Sequence, residues 1–430
     1  MKIVYLVHQF FPEYYTGTEK FVFKMSSMMQ KAGHSVRVIT YGFYRDSFFT
    51  RSMGGILYED FAYKGVPVTA IRHRKIPESV SVVLGDGSMR GIAEHFLSIE
   101  RPDVVHVGHP MRVNEFITAS RSLDIPYVLT LTDFWLICPK VNLVNSRGDL
   151  CAGPEGGKTC TYLCTEFNED FIHERDESAR DIMLGARRVI SPSRFLGGLF
   201  KNEVGTLDVA VINHGISYSK KRRNDRKSQK EDRLIFCCAG SLNDHKGIHI
   251  LIDAFRTIKA DNVILKIFGS GPNPVYVHRL SDMAKGDRRI EFCGVYSEDV
   301  VGEILSNVDV VIIPSLWYES YSLVLHEALA CNTPVIASDI GGMAEKIKDG
   351  VNGFSFRVGD AESLRTIMER IIAEPEILNG LKMNIKSSKS STVPAVEQEA
   401  YAYERIYREI ERGEDPAHSN NMRGKPCRVI

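Results

Sequence analysis

The chain alternates short, almost wholly apolar runs with longer stretches whose apolar positions recur every three or four residues. Ile3–Val7, Val36–Thr40, Val104–Val107, Tyr127–Leu131 and Val209–Ile212 have the β-branched character of strands, and Lys20–Lys31 between the first two has helix composition. Apolar strands separated by helices predict a parallel sheet covered on both faces, and so a doubly wound α/β domain. The alternation restarts at Leu234–Cys238. Ile248, Leu251, Ile252, Phe255 and Ile258 then share one face of a helix, and Val263–Phe268, Val308–Ile313 and Val335–Ala337 supply further strands. A last helical stripe of Val396, Ala400, Tyr403, Ile406, Tyr407 and Ile410 is stopped by Gly413 and Pro416.

The pattern predicts two Rossmann-like domains, 1–216 and 217–395, with the helix of 396–412 packing back on the first and 413–430 forming a disordered tail. The polar, mostly basic run Ser219–Lys227 at the junction reads as an exposed linker. A length of 430 residues agrees with two cores rather than one. Lys+Arg equals Asp+Glu at 54 each, so the broad basic excess of a nucleic-acid binder is missing and no nucleic-acid partner is expected. No apolar run approaches the ~20 residues a bilayer requires. The opening apolar run lacks a small-residue cleavage site and leads straight into Phe10, Phe11 and Pro12, so it reads as a strand and not an export signal. The nine cysteines are then expected as reduced thiols or metal ligands of a cytoplasmic chain.

Two such domains imply a cleft, with ligands beyond the carboxyl ends of the strands. The segment that follows the strand ending at Ile313 carries Glu319 and Glu327, eight residues apart. With a helix starting near Ser320, the two carboxylates stand about two turns, or ~12 Å, apart. The unpaired first amides of that helix would take a diphosphate, and a carboxylate suits the paired hydroxyls of a sugar or ribose. The same residues also fit an ordinary helix start followed by a paired, buried glutamate.

The surrounding residues settle more. The segment Pro314–Ala328 resembles the E-x7-E signature of retaining glycosyltransferases with two Rossmann-like domains, the GT-B architecture, and its surroundings are similar to family 4 of those enzymes. Gly240–Gly247 resembles the family's "G-R-L…K-G" turn, Phe268–Pro272 its "G-x-G-P" turn, and Phe292–Val295 its "F-x-G" turn. Asp339–Glu345 with Gly350–Phe354 resembles its glycine loop. The first half matches more loosely, through Thr16-Gly17-Thr18-Glu19, Asp103–His106, Ser191–Ser193 and Asn213–Gly215. The resemblance covers most of residues 1–410. It implies that a nucleoside-diphosphate sugar is the co-substrate, with Glu327 on the ribose and Glu319 on the donor sugar. Lys246 would neutralise the diphosphate, the amides of Ser320, Tyr321, Ser322 and Leu323 would cradle it, and Val295 and Tyr296 would flank the base. Gly17, Ser241 and Gly269 fall on the glycine-rich turns that line such a site. No metal is required for the phosphates. The reaction implied is hexosyl transfer with retention to a glycan or lipid-linked acceptor, in polysaccharide or glycolipid biosynthesis.

Two positions depart from the family. Ser241 replaces the arginine that follows Gly240, and Thr132 stands where many members carry a histidine before Asp133. His106, His109 and Asp133 are the candidates for the catalytic role that this leaves open, with His109 and Asp133 preferred. A nucleotide-sugar epimerase, a phosphorylase, or a sugar-nucleotide-binding protein without transfer activity fits the same architecture.

Two features lie outside the family pattern. Cys138, Cys151, Cys160 and Cys164 are spaced C-x12-C-x8-C-x3-C among glycines, either as packed thiols or as ligands of a structural zinc or iron–sulphur centre. The basic run Arg72-His73-Arg74-Lys75, taken with Phe10, Phe11, Tyr14 and Tyr15, suggests contact with anionic headgroups at the inner face of a membrane, worth about 1 kcal/mol per charge. A strand end with buried phenylalanines is the alternative.

Overall fold

A computed structural model describes residues 1–217, 233–388 and 392–414. The basic run from Ser219 and the tail beyond Glu414 lie outside the described residues. The chain divides into two compact units, Met1–Asn213 with Val396–Ile430, and His214–Ala395. Among the described residues no helix is long and apolar enough to cross a membrane.

The first unit is built on β1 (Lys2–Val7), β2 (Ser35–Tyr41), β3 (Arg51–Met53), β4 (Ile56–Tyr63), β5 (Val66–His73), β6 (Val104–Val107), β7 (Tyr127–Thr130), β8 (Arg188–Ser191) and β9 (Val209–Val211). Their order in the sheet is β3-β4-β5-β2-β1-β6-β7-β8-β9. Strands β2, β1, β6, β7, β8 and β9 run parallel, as their apolar runs predict. The antiparallel edge β3-β4-β5 was not read from the pattern. Its turns are Gly54-Gly55 and Lys64-Gly65, all four at positive φ, the backbone that a two-residue hairpin requires. Helix Gly17–Lys31 begins in a capping box, in which the Glu19 carboxylate accepts from both the amide and the hydroxyl of Thr16. Its apolar face, Phe21, Val22, Met25 and Met29, shares a core with Tyr403 and Tyr407 of helix Val396–Glu411.

The second unit holds β10 (Leu234–Ala239), β11 (Val263–Phe268), β12 (Ile290–Gly294), β13 (Val310–Ile313), β14 (Val335–Ser338) and β15 (Gly353–Phe356). The order is β12-β11-β10-β13-β14-β15, all parallel. Alternation within strands feeds two cores. Phe236, Cys238, Val310 and Ile312 enter one, and Cys237, Val311 and Ile313 the other. Counted within the unit, the strand order is 3-2-1-4-5-6, the doubly wound arrangement whose switch point lies between its first and fourth strands. Loops leaving β10 and β13 therefore open side by side. In the first unit the same reversal falls between β1 and β6.

Candidate active site

At the switch point of the second unit, the turn after β10 meets the loop after β13. The Leu316 amide donates to the His245 carbonyl at 2.8 Å. A Cβ on Gly247 would sit 2.0 Å from the Pro314 carbonyl oxygen, and Gly247 has φ +66°. No other residue type lets these two loops touch. The contact presents Lys246 to Glu319, with Nζ 2.6 Å from Oε1. Ser315 Oγ at 2.8 Å and Trp317 Nε1 at 3.2 Å donate to the same oxygen. Among the described residues Oε2 receives no such bond. The side chain is 12% exposed. Burial alone would raise its pKa, but the Lys246 charge and the three donors outweigh it and hold the carboxyl below its ordinary value. The His245 and Trp317 rings lie 3.7 Å apart, tilted by 35°. Burial, then the neighbouring Lys246 charge, lowers that imidazole to about 4, so it is neutral near pH 7.

A helix beginning near Ser320 is corrected by the structure. The helix is Leu323–Ala330, and Ser322 before it is left-handed at φ 58° and ψ 87°. Glu319 therefore precedes the helix and does not lie two turns before Glu327 on one face. The reason is tertiary. The Gly342 amide donates to the Glu319 carbonyl at 2.8 Å, and a Cβ on Gly342 would stand 2.7 Å from the Ser320 carbonyl oxygen. The glycines that open the short helix Gly341–Ala344 thus hold Glu319 and Ser320 outside helix Leu323–Ala330. Tyr321 is buried, donates from its hydroxyl to the His214 carbonyl at 2.9 Å, and stacks on His326 at 3.7 Å.

Glu327 lies buried on the helix. Burial and then the Glu327 carboxylate raise the Tyr296 phenol, which places these two predicted residues near one another. Val295 beside Tyr296 is 71% exposed. Both follow Gly294, whose carbonyl accepts from the Gly269 amide at 2.7 Å. Gly269, at φ +134°, packs so closely that a Cβ would lie 1.8 Å from the Gly240 carbonyl oxygen. Ser241 is exposed in the turn after β10 and accepts from Asn243 Nδ2 at 2.7 Å.

The first unit gathers a second cluster at its own reversal of strand order. His8 follows β1, Gly108 and His109 follow β6, and Asp133 lies beyond β7. His109 Nε2 is 2.9 Å from Asp133 Oδ2, and the His8 and His109 rings stand 4.1 Å apart. His8 Nε2 is 3.6 Å from Glu19 Oε1, while His8 Nδ1 is buried with no hydrogen-bond partner among the described residues. Burial, then the charges of His109 and Arg112, hold His8 well below its ordinary pKa. Gly17 is exposed and opens the helix that carries Glu19. Sequence reasoning named His109 and Asp133 as candidates, quoted Glu19 only within the Thr16–Glu19 motif, and did not single out His8. The position of His8 directly after a buried strand was the available signal. His106 is a core residue. It is fully buried in β6 between Tyr407 and Thr130, and burial lowers it to about 3.

Two further expectations change. Arg72 is buried in β5 and paired with Asp46, His73 is paired with Asp86 at 2.8 Å, and Phe10 and Phe11 are core residues. Phe10, Phe11, Arg72 and His73 of the set expected at a membrane surface are thus used inside the domain, while Tyr15, Arg74 and Lys75 are exposed. The four clustered cysteines are all buried. Burial, then the sulphurs of Cys138, Cys164 and Cys151, push Cys160 up to about 12. They are not, however, arranged as ready ligands. Among the described residues no group of three or more His, Cys, Asp or Glu side chains stands in metal-binding geometry.

Comparison with known proteins agrees with this architecture. The model of the family described as "Glycosyltransferase Family 4" matches residues 15–220, and that described as "Glycosyl transferases group 1" matches residues 220–388. A lipopolysaccharide 1,2-N-acetylglucosaminetransferase of Salmonella typhimurium is 27% identical over 206 residues, 44% of this chain and 54% of that protein. An uncharacterized glycosyltransferase of Methanocaldococcus jannaschii is 32% identical over 146 residues, 34% of this chain and 37% of the relative. The chain thus spans about half or less of the length of these curated relatives. Among solved structures, sucrose-phosphate synthase of Thermosynechococcus elongatus superposes with a TM-score of 0.72 at 17% identity, covering 96% of this chain and all of that one. Anabaena HepE in complex with UDP and glucose gives 0.67 at 17% identity, covering 95% and 99%. At such identities the likeness is one of fold.

Proposed function

We propose, for a chain that belongs to glycosyltransferase family 4 and has the GT-B fold, that it transfers a sugar from a nucleoside-diphosphate donor to a glycan or lipid-linked acceptor, with retention at the anomeric carbon. The observation that carries this reading is the Lys246–Glu319 pair at the switch point of a 3-2-1-4-5-6 sheet, enclosed by glycines that admit no side chain. A cation and a preorganised carboxylate at that place suit a diphosphate joined to a polyhydroxylated ring.

In this reading the second unit binds the donor. Glu327 takes the ribose hydroxyls and Tyr296 with Val295 flanks the base. Lys246 and the amides from Ser320 to Leu323 hold the diphosphate, and Glu319 Oε2 takes the sugar hydroxyls. The C1–O bond to phosphate breaks as the C1–O bond to the acceptor forms, and the acceptor's proton passes to the departing phosphate oxygen. The protein contributes placement and fixed charge rather than a covalent intermediate. The His109–Asp133 pair orients the acceptor hydroxyl in the first unit. The lipopolysaccharide transferase among the relatives supports an acceptor in surface-polysaccharide assembly.

A thermal-shift screen of the chain against nucleoside-diphosphate sugars finds the donor, because a selective ligand stabilises by an amount that grows with the logarithm of its concentration relative to the dissociation constant. Release of nucleoside diphosphate that depends on an added glycan or lipid-linked acceptor is the expected result. Conversion of the donor without acceptor would mean epimerisation, and stabilisation with no turnover would mean a binding protein.

A further inference from the structure

The imidazole and the carboxylate of the His109–Asp133 pair are not equivalent, and their hydrogen bonds separate their roles. The Met111 amide donates to His109 Nδ1 at 3.2 Å. A ring nitrogen that accepts a hydrogen bond carries no proton, so the proton of the neutral ring sits on Nε2. Nε2 is the atom 2.9 Å from Asp133 Oδ2, and it therefore donates to that oxygen. Both nitrogens of His109 are thus spent inside the domain, and its side chain is 3% exposed. A proton arriving at Nδ1 would have to displace the Met111 N–H.

The ring is also packed in place. Its centroid lies 4.1 Å from that of His8 and 5.6 Å from that of Trp135. Burial, then the charges of His109 and Arg112, hold His8 well below its ordinary pKa, because two imidazoles this close repel when both are charged. Trp135 is buried, and its Nε1 donates to the Ser81 carbonyl at 2.9 Å. Its amide donates to Asp133 Oδ1 at 2.8 Å. Thr132, just before Asp133, spends its hydroxyl proton on the Gly108 carbonyl at 3.3 Å.

Asp133 is the open end of this arrangement. Its side chain is 28% exposed. Oδ2 receives one N–H from His109 and Oδ1 one from Trp135. A carboxylate offers about four lone-pair sites, so both oxygens keep capacity for a further donor. With His109, Thr132 and Trp135, Asp133 lines a small pocket. A group that only accepts, fixed from two sides, suits a partner with a proton to donate, as a sugar hydroxyl has.

We propose that Asp133, and not His109, is the group that touches the acceptor, taking a hydrogen bond from its reacting hydroxyl, and that His109 is a positioning residue that holds Asp133 through Nε2–H. This rests on the transferase reading above. The hydroxyl proton leaves for the departing phosphate oxygen as the new C1–O bond forms. The carboxylate ends the step as it began, and the imidazole neither gives nor takes a proton.

The tautomer is read on the full chain without ligand. Nitrogen-15 NMR of histidine-labelled protein, with the His109 signals identified by their loss in a His109 variant, should show Nε2 protonated and Nδ1 bare near pH 8. A proton on Nδ1 instead would overturn the proposal. Turnover is read as acceptor-dependent release of nucleoside diphosphate. His109→Ala should lower kcat/KM for the acceptor by about 10- to 100-fold, the size of a hydrogen bond to a charged group, with donor affinity by calorimetry unchanged. His109→Gln, whose amide N–H can stand in for Nε2–H, should restore most of that loss and keep the wild-type pH profile. A His109→Gln variant as poor as His109→Ala, or one that loses a limb of the pH profile, would mean that the imidazole itself exchanges a proton, and the proposal fails. A wild-type chain that transfers to no acceptor removes the transferase reading and the acceptor contact with it, while the spectrum still decides the tautomer.

Discussion

Lys246 Nζ stands 2.6 Å from Glu319 Oε1, so the cation assigned to the diphosphate and the carboxylate assigned to the sugar are paired with one another. A diphosphate that reaches Lys246 competes for a charge that Glu319 already holds. Lys246→Met should therefore weaken nucleoside-diphosphate binding by about 10- to 100-fold, the size of a hydrogen bond to a charged group at ~1.5–3 kcal/mol. Calorimetric titration with the nucleoside diphosphate measures it, and unchanged affinity would remove Lys246 from the site.

The same pair sets a pH dependence. Glu319 has its pKa lowered in the fold, so its pairing stabilises the protein fully above the ordinary glutamate value of 4.5. That contribution is lost as pH falls through the depressed value. Thermal unfolding followed on acidification should show a shallower loss of melting temperature in Glu319→Gln than in wild type. Parallel curves would mean that the pair contributes no such linkage.

Gly342→Ala places a methyl group 2.7 Å from the Ser320 carbonyl oxygen and 3.1 Å from that of Glu319. Both belong to the loop that aims Glu319. Relief requires the loop to move, at a cost of about 1–3 kcal/mol for overpacking. Turnover should fall at least tenfold, with the fold retained by circular dichroism. A variant of normal turnover would show that the loop can shift without harm.

The strand pattern disclosed the parallel centre of both sheets because strands buried on two faces must be apolar throughout, as Ile3–Val7 and Val310–Ile313 are. The glycines at 240, 247, 269, 341 and 342 were legible as motifs, and the structure supplies a physical cause: close contact with a neighbouring loop at 247, 269, 341 and 342, and a backbone at φ +141° at Gly240. The helix start was misplaced by three residues because Ser320 is a good cap by local rules. What keeps it outside the helix is the contact with Gly342, which local sequence does not encode. Arg72 read as a surface cation for the same reason: its partner Asp46 is 26 residues away. His8 went unnoticed although it directly follows a buried strand, because the reversal of strand order that brings it to His109 is not local in sequence.

In the first unit, Asp133 accepts from the Trp135 amide at 2.8 Å as well as facing His109. Asp133→Asn keeps the size and the loop contact but removes the charge that fixes the His109 ring. Turnover should drop by about 10- to 100-fold, in the range of a positioned acid–base partner, with donor affinity unchanged. A loss of donor affinity instead would move Asp133 to the donor side.

The central claim is that Glu319 acts on the sugar being transferred. The direct measurement is donor affinity by calorimetry alongside turnover at saturating donor, in wild type and in Glu319→Gln. The account predicts affinity within about threefold of wild type and turnover lower by about 100-fold or more, since a contact tightened in the transition state is worth ~2.7 kcal/mol or above. Turnover close to wild type at saturating donor would contradict it.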